Sequence, residues 1–193
     1  VADRRLTDDS ARRFEAALAG LRAVRLRPEV LLEEVPAPGR LAPFSVALAA
    51  DVVPDRQEDD EVASGRFVVL FDPSAPEQWD GQWRVVTYAR AALEAELAGD
   101  PALGGVGWSW LEDALRDVGA EAGALGGTVT RIVSEKFAGL ADDPTTVEME
   151  LRASWSPLDD DLARHLQAWA RLLCTLGGLP PLPDGVSFLS TRR

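Results

Sequence analysis

Hydrophobic positions along the chain change their period several times, and each change predicts an element. Over residues 8–26, Ala11, Phe14, Leu18 and Leu21 recur at helical spacing, behind a capping Thr7 or Asp8. Pro28 ends that helix and begins an extended piece, Glu29–Val35. The prolines of Pro36–Pro43 each remove a backbone donor and predict a loop. Period two then takes over in Phe44, Val46, Leu48, Ala50 and Val52, which is a strand. Arg66–Phe71 is apolar on both faces and suits a central strand. Gln82–Arg90 is a third strand, beyond the loop Asp72–Gly81. In Glu94–Gly107 the pattern breaks at Asp100-Pro101 and Gly104-Gly105. A second helix is predicted from Ser109 to Val118, with Ser109 and Glu112 as a capping box. Two more strands follow, Thr128–Phe137 and Thr146–Trp155. In the latter, Val147, Met149, Leu151, Ala153 and Trp155 face one way, and Glu148, Glu150, Arg152 and Ser154 the other. Ser156 as cap and Pro157 as first residue predict a third helix. Its stripe is Leu162, Leu166, Trp169, Leu173 and Leu176, and Gly177 or Gly178 ends it.

The predicted order is α-β-β-β-α-β-β-α. Grouped strands with helices between them give an α+β fold, an antiparallel sheet of about five strands under one helical layer. The expected organisation is a single domain over residues 8–178, followed by a Pro-rich tail over 179–193. This element order resembles the class I type III secretion chaperones. That likeness implies a small acidic protein that dimerises and holds another polypeptide.

Charge narrows the partners. The chain of 193 residues carries 20 basic and 32 acidic groups, a net charge of −12. Such a body repels nucleic acid and anionic membrane as direct partners. The charge is uneven, however. Residues 1–27 hold seven arginines and four acids (+3), and the remainder holds 13 basic and 28 acidic residues (−15). A basic segment on an acidic body suits an intramolecular or homodimeric contact. The plainer account puts Arg22, Arg25 and Arg27 near a helix C-terminus, where cations are favoured. No apolar run approaches the roughly 18–20 residues of a membrane span. With a single cysteine, the expected compartment is the cytoplasm.

Candidate chemistry is sparse. One His, one Cys and one Lys exclude a disulfide framework and a His/Cys zinc centre, so no metal and no cofactor are expected. His165 and Cys174 lie nine residues apart on one predicted helix, which turns them to opposite sides. Neither is expected to be catalytic. Gly104–Trp108 precedes a helix but lacks the lysine of a phosphate loop. Glu148 and Glu150 share a strand face, and Glu58–Glu61 is an acidic run; both read as solvated charge. The six tryptophans say more. Trp83, Trp108, Trp155 and Trp169 fall at core positions, and Trp79 and Trp110 are left over, either packed under a loop or free as interface anchors. Asp72, Asp80 and Arg84 flank the loop that carries Trp79, so those five residues form the candidate binding set.

The strings LRPEVLLEEVPAPGRLAPFSVALAADVV, WDGQWRVVTYARAALE, VGWSWLEDAL, GTVTRIVSEKFAGLADDP, LRASW and LLCTLGGLPPLPDGV are long and specific. Over about residues 10–188 the chain resembles the actinobacterial family called domain of unknown function three thousand. The resemblance implies no particular activity, cofactor or site residue. Its members are often encoded beside a ribonuclease D, which implies a housekeeping setting. Three readings result. The leading one is a non-enzymatic binding or adaptor module, a homodimer that holds a protein partner on a sheet face or helix groove. The second is an enzyme or small-molecule binder built on the Asp and Arg groups of 72–84. The third is an accessory of RNA processing that acts through a protein partner.

Overall fold

The computed structural model describes residues 2–55 and 60–181, with side chains from residue 8 onward. Three helices and six strands follow one another as α1 (Ala2–Ala23), β1 (Val30–Val35), β2 (Phe44–Val52), β3 (Ala63–Phe71), β4 (Trp83–Leu93), α2 (Leu103–Asp117), β5 (Ala122–Ser134), β6 (Thr146–Pro157) and α3 (Leu162–Leu176). The fold is α+β. The strands form one open antiparallel sheet in the order β1-β2-β3-β4-β6-β5.

The sheet has six strands, against the five expected. The additional one is the extended piece after Pro28, which pairs with β2 from Val30↔Val52 to Val35↔Ala47. Four of its six residues are exposed in succession, Leu31 to Glu34, so no alternation marks it in the sequence.

Alternation elsewhere sorts the side chains cleanly. Val46, Leu48, Phe67, Val69, Trp83, Val85, Met149, Leu151 and Trp155 point to one face and are buried there under the helices. α3 lies along the middle of that face with its predicted stripe buried, Leu162, Leu166, Trp169, Leu173 and Leu176. α1 sends Phe14 onto the rings of Phe44, Phe71 and Trp83, with centroids 5.5–6.3 Å apart. Arg13 fastens the same helix. It donates two hydrogen bonds to Asp160, at 2.7 and 2.6 Å, and lies over the Phe71 and Trp83 rings. The Trp83 indole N–H shares Asp160, at 2.8 Å. Arg13 holds the Asp160 carboxyl below the usual carboxylate range.

Helix boundaries differ from expectation. α1 spans Ala2–Ala23 rather than 8–26. α2 begins at Leu103, six residues before the predicted Ser109. The Asp100 carboxylate accepts from the Ala102 N–H at 2.8 Å, and Leu103 and Gly107 are buried while Gly104 and Gly105 face solvent. Ser109 therefore sits inside the helix, where its hydroxyl donates to the Val106 carbonyl. Before α3, β6 continues through Ser156 and Pro157, so neither begins that helix. A turn over Asp159–Asp161 intervenes, closed by the Asp161 N–H on the Asp159 carboxylate. Gly177 ends α3 as expected. Of the predicted tail, Leu179 packs on the core and the Pro180 carbonyl accepts from Arg27; residues 182–193 lie outside the described residues. Among the described residues, no helix is long and apolar enough to cross a membrane.

Candidate functional site

With the three α-helices on one side, the other face of the sheet carries the second set of alternating side chains. Antiparallel register lines them up in rows across the strands. One row is apolar, Val35, Ala47, Val68 and Val86, followed by Ser154. Its β1–β3 end is covered by the chain itself. Ala37, Ala42 and the half-buried Trp79 pack there on Ala47, Val68 and Leu70 as a small second core. Val86, farther along the row, is 39% exposed.

The adjoining row takes one residue from each strand: Glu33, Ala49, Arg66, Tyr88, Arg152 and Thr128. Arg152 lies over the Tyr88 ring, 4.8 Å from its centroid, a cation–π contact. Glu150, in the next row, ties the pair together. It accepts from the Tyr88 hydroxyl at 2.9 Å and from Arg152 at 3.1 Å. The small side chains of Ala49 and Ser64 leave a concavity of about 430 Å³ beside them, lined also by Asp51, Arg66, Tyr88 and Arg152.

The electrostatics of this surface follow from who pairs with whom. Hydrogen bonds from Arg152 and Tyr88 hold the Glu150 carboxyl below its usual range. Burial, then the Glu150 bond, pushes the Tyr88 phenol up. Burial also pushes the Asp51 carboxyl up, with Glu61 and Glu33 adding repulsion. Arg90 pairs with Glu148 at 3.4 Å. Arg84 donates to Ser154 at 2.6 Å, to Ser156 at 3.2 Å and to the Ala124 carbonyl at 3.0 Å. Arg66 is exposed and has no ion pair among the described residues.

The family described as Protein of unknown function (DUF3000) matches residues 10–187. The chain belongs to the DUF3000 family. No curated protein and no solved structure matches it. The likeness of this DUF3000 chain to secretion chaperones therefore rests on element order alone, and the sixth strand alters that order.

The five residues singled out from sequence fall on different parts of the DUF3000 fold. Trp79 caps the apolar end of the open face, and its carbonyl accepts from the Ser156 hydroxyl. Trp110 belongs to α2 and packs half-buried against the main core, on the opposite side of the sheet. Asp72 is turned onto its own loop and accepts from the Ser74 N–H and hydroxyl at 2.9 and 2.7 Å. Asp80 is exposed and left-handed, with φ 52°. Arg84 lies along the open face with its serine partners. Asp72, Asp80 and Arg84 share no hydrogen bond or ion pair among the described residues, while Arg84 and the Trp79 carbonyl meet at the Ser156 hydroxyl.

The other sequence candidates serve the fold. His165 is 1% exposed, and its Nδ1 accepts from the Trp155 indole at 2.9 Å; Asp161, one turn earlier, pairs with Arg164. Cys174 is buried, which pushes its thiol up and keeps it unreactive. Among the described residues, no group of three or more His, Cys, Asp or Glu side chains is placed to hold a metal ion. The acidic run Glu58–Glu61 falls partly outside the described residues.

Sequence reasoning did not single out Arg66, Tyr88 and Arg152. Arg152 sits at a polar position of an alternating strand, whereas Arg66 opens a run that is apolar on both faces. Nothing local says that the three share one row.

Proposed function

We propose that this protein is a non-catalytic binding module of the cytoplasm that receives a segment of another polypeptide on its open sheet face. The observation that carries the reading is the one-sided architecture. Six strands have their three α-helices on one side only, and beyond the Trp79 cap the other side presents Val86 and Leu31, 39% and 40% exposed, among ordered charges. Two-layer folds leave such a face open, and here Val86 and Leu31 are separate apolar points on it, three strands apart among the charges. The acidic body favours a protein over a nucleic acid as the guest. A single cysteine, buried in packing, suits the reducing cytoplasm.

A photo-crosslinking side chain at position 86, with a control at the exposed Glu112 of α2, tests the reading in cells. A discrete adduct from position 86 that is absent from position 112 is expected. The same adducts from both positions, or none from position 86, would overturn it. An adduct of twice the chain mass would identify the guest as a second copy.

A further inference from the structure

We propose that the row Arg66–Tyr88–Arg152 reads a carboxylate on the docked polypeptide, that of an Asp or Glu side chain two positions from an apolar one. The inference rests on the open face as docking surface and names what that surface selects.

Geometry comes first. The three residues are in direct register on β3, β4 and β6. Neighbouring strands are roughly 4.8 Å apart, so the two arginines start about 10 Å apart with the ring between them. Arg152 is held over the ring at 4.8 Å, and Glu150 fixes both of its neighbours. That side of the site is ordered before any guest arrives, which reduces the ordering cost of binding. Arg66 is the group left to be satisfied. Every other arginine of the face has a partner, whereas Arg66 has no ion pair among the described residues and borders the concavity of about 430 Å³. A guanidinium presents two parallel donors, and a carboxylate accepts both.

Charge then decides the kind of anion. Glu33 shares the row, and Asp51 and Glu150 stand in neighbouring ones. They repel a phosphate dianion more than a single carboxylate, and they repel a nucleic-acid backbone more still. Two arginines already stand among three acids, and Arg152 is paired with Glu150, so a single carboxylate, paired with Arg66, adds the least negative charge to the face. The apolar part has a place as well. Val86 is two residues from Tyr88 on the same face, which is about 7 Å along the strand. An extended segment repeats a face every second residue, so an acid over Arg66 sets the apolar residue two positions on toward Val86, which lies one strand across and two residues along, beside the Trp79 cap.

A displayed library of random dodecapeptides, selected on the whole protein and then measured one by one, tests this. Selected peptides are expected to carry Asp or Glu two positions from an apolar residue. They should bind about tenfold more weakly to Arg66→Ala and to the peptide's own Glu→Gln form, with Arg66→Lys between wild type and Arg66→Ala. Arg66 is exposed, so an unchanged melting temperature certifies that the variant is folded. Peptides that need the face, being lost on Val86→Glu, but that lack an acid would overturn the carboxylate assignment and leave the docking surface standing. Failure to find any peptide sensitive to Val86→Glu would overturn both. Inorganic phosphate or oligouridylate that displaces the peptides more effectively than acetate would also overturn it, since the row would then be a phosphate site.

Discussion

His165 shows how a single buried group ties this fold to pH. The Trp155 indole N–H points at Nδ1, so the imidazole is neutral with its own proton on Nε2. Burial pushes its pKa down from 6.5 to about 4, against weaker upward pulls from Asp159 and Asp161. In the unfolded chain the same group titrates near 6.5. Between those values the unfolded state binds the proton and the folded state does not. Stability is therefore full above about pH 6.5 and is lost as the pH falls toward 4, by about 3 kcal/mol at most. Asp160 also has a lowered pKa, so its contribution disappears only at more acidic pH. Urea unfolding between pH 4 and 7.5 should show this loss in the wild type. His165→Gln keeps an acceptor for Trp155 and has no proton to gain. It should cost about 1 kcal/mol at pH 7 and flatten the dependence. Equal slopes for the two proteins would mean that another group is responsible.

At the scale of elements, helix α3 rests on the sheet because β3 has a glycine beneath it. A Cβ on Gly65 would meet the Trp169 ring at 2.9 Å and press on the Tyr88 carbonyl, which itself accepts from the Trp169 indole N–H at 3.3 Å. Neither the ring nor the strand backbone can yield without moving α3. Gly65→Ala should therefore destabilise by about 1–3 kcal/mol, read as a lower melting temperature. Gly39→Ala, at a site with open space around it, is the matched control and should change little. Such packing also explains what could and could not be read in advance. The strict alternation of residues 146–155 and the stripe of α3 are set by one face being buried, and both were legible. The start of α2 was not. Its glycines look like breakers, yet Gly107 is where the helix meets Met149, so tertiary contact overrides local propensity. β1 is an edge strand with four exposed residues in a row, so it has no period to detect. Of the candidate site, only Arg152 was legible, as a wet position. Arg66, Tyr88 and Arg152 align through β4–β6 pairing, which skips over α2 and β5 in the chain and leaves no local signal.

For the whole molecule, charge and architecture divide the work. The basic N-terminal region does not stand apart from the acidic body. Arg13 reaches Asp160, Arg22 reaches Glu34 and Arg27 reaches Glu29, so three of its seven arginines pair with the acidic body. The Arg13 and Arg22 pairs are half-exposed and worth at most about 1 kcal/mol each, so they orient α1 while the apolar face supplies the stability. That separation makes the two faces of the sheet experimentally independent. Val85 and Val86 are neighbours in β4, but Val85 is 0% exposed beneath the helices and Val86 is 39% exposed on the open side. Val85→Ser leaves a cavity and a buried hydroxyl, and should cost about 2–4 kcal/mol. Val86→Ser should stay within about 0.5 kcal/mol of the wild type while weakening any guest on the open face. Denaturant melts of the two variants at several protein concentrations check this directly. If Val86→Ser proved as costly as Val85→Ser, in a manner independent of concentration, the open face would be part of the monomer's own core. A cost that grew with concentration would instead mean that a second copy covers Val86, because association stabilises by mass action. Neutrality at Val86 is what a surface kept for another molecule requires: its apolar groups add nothing to the fold that holds them in place.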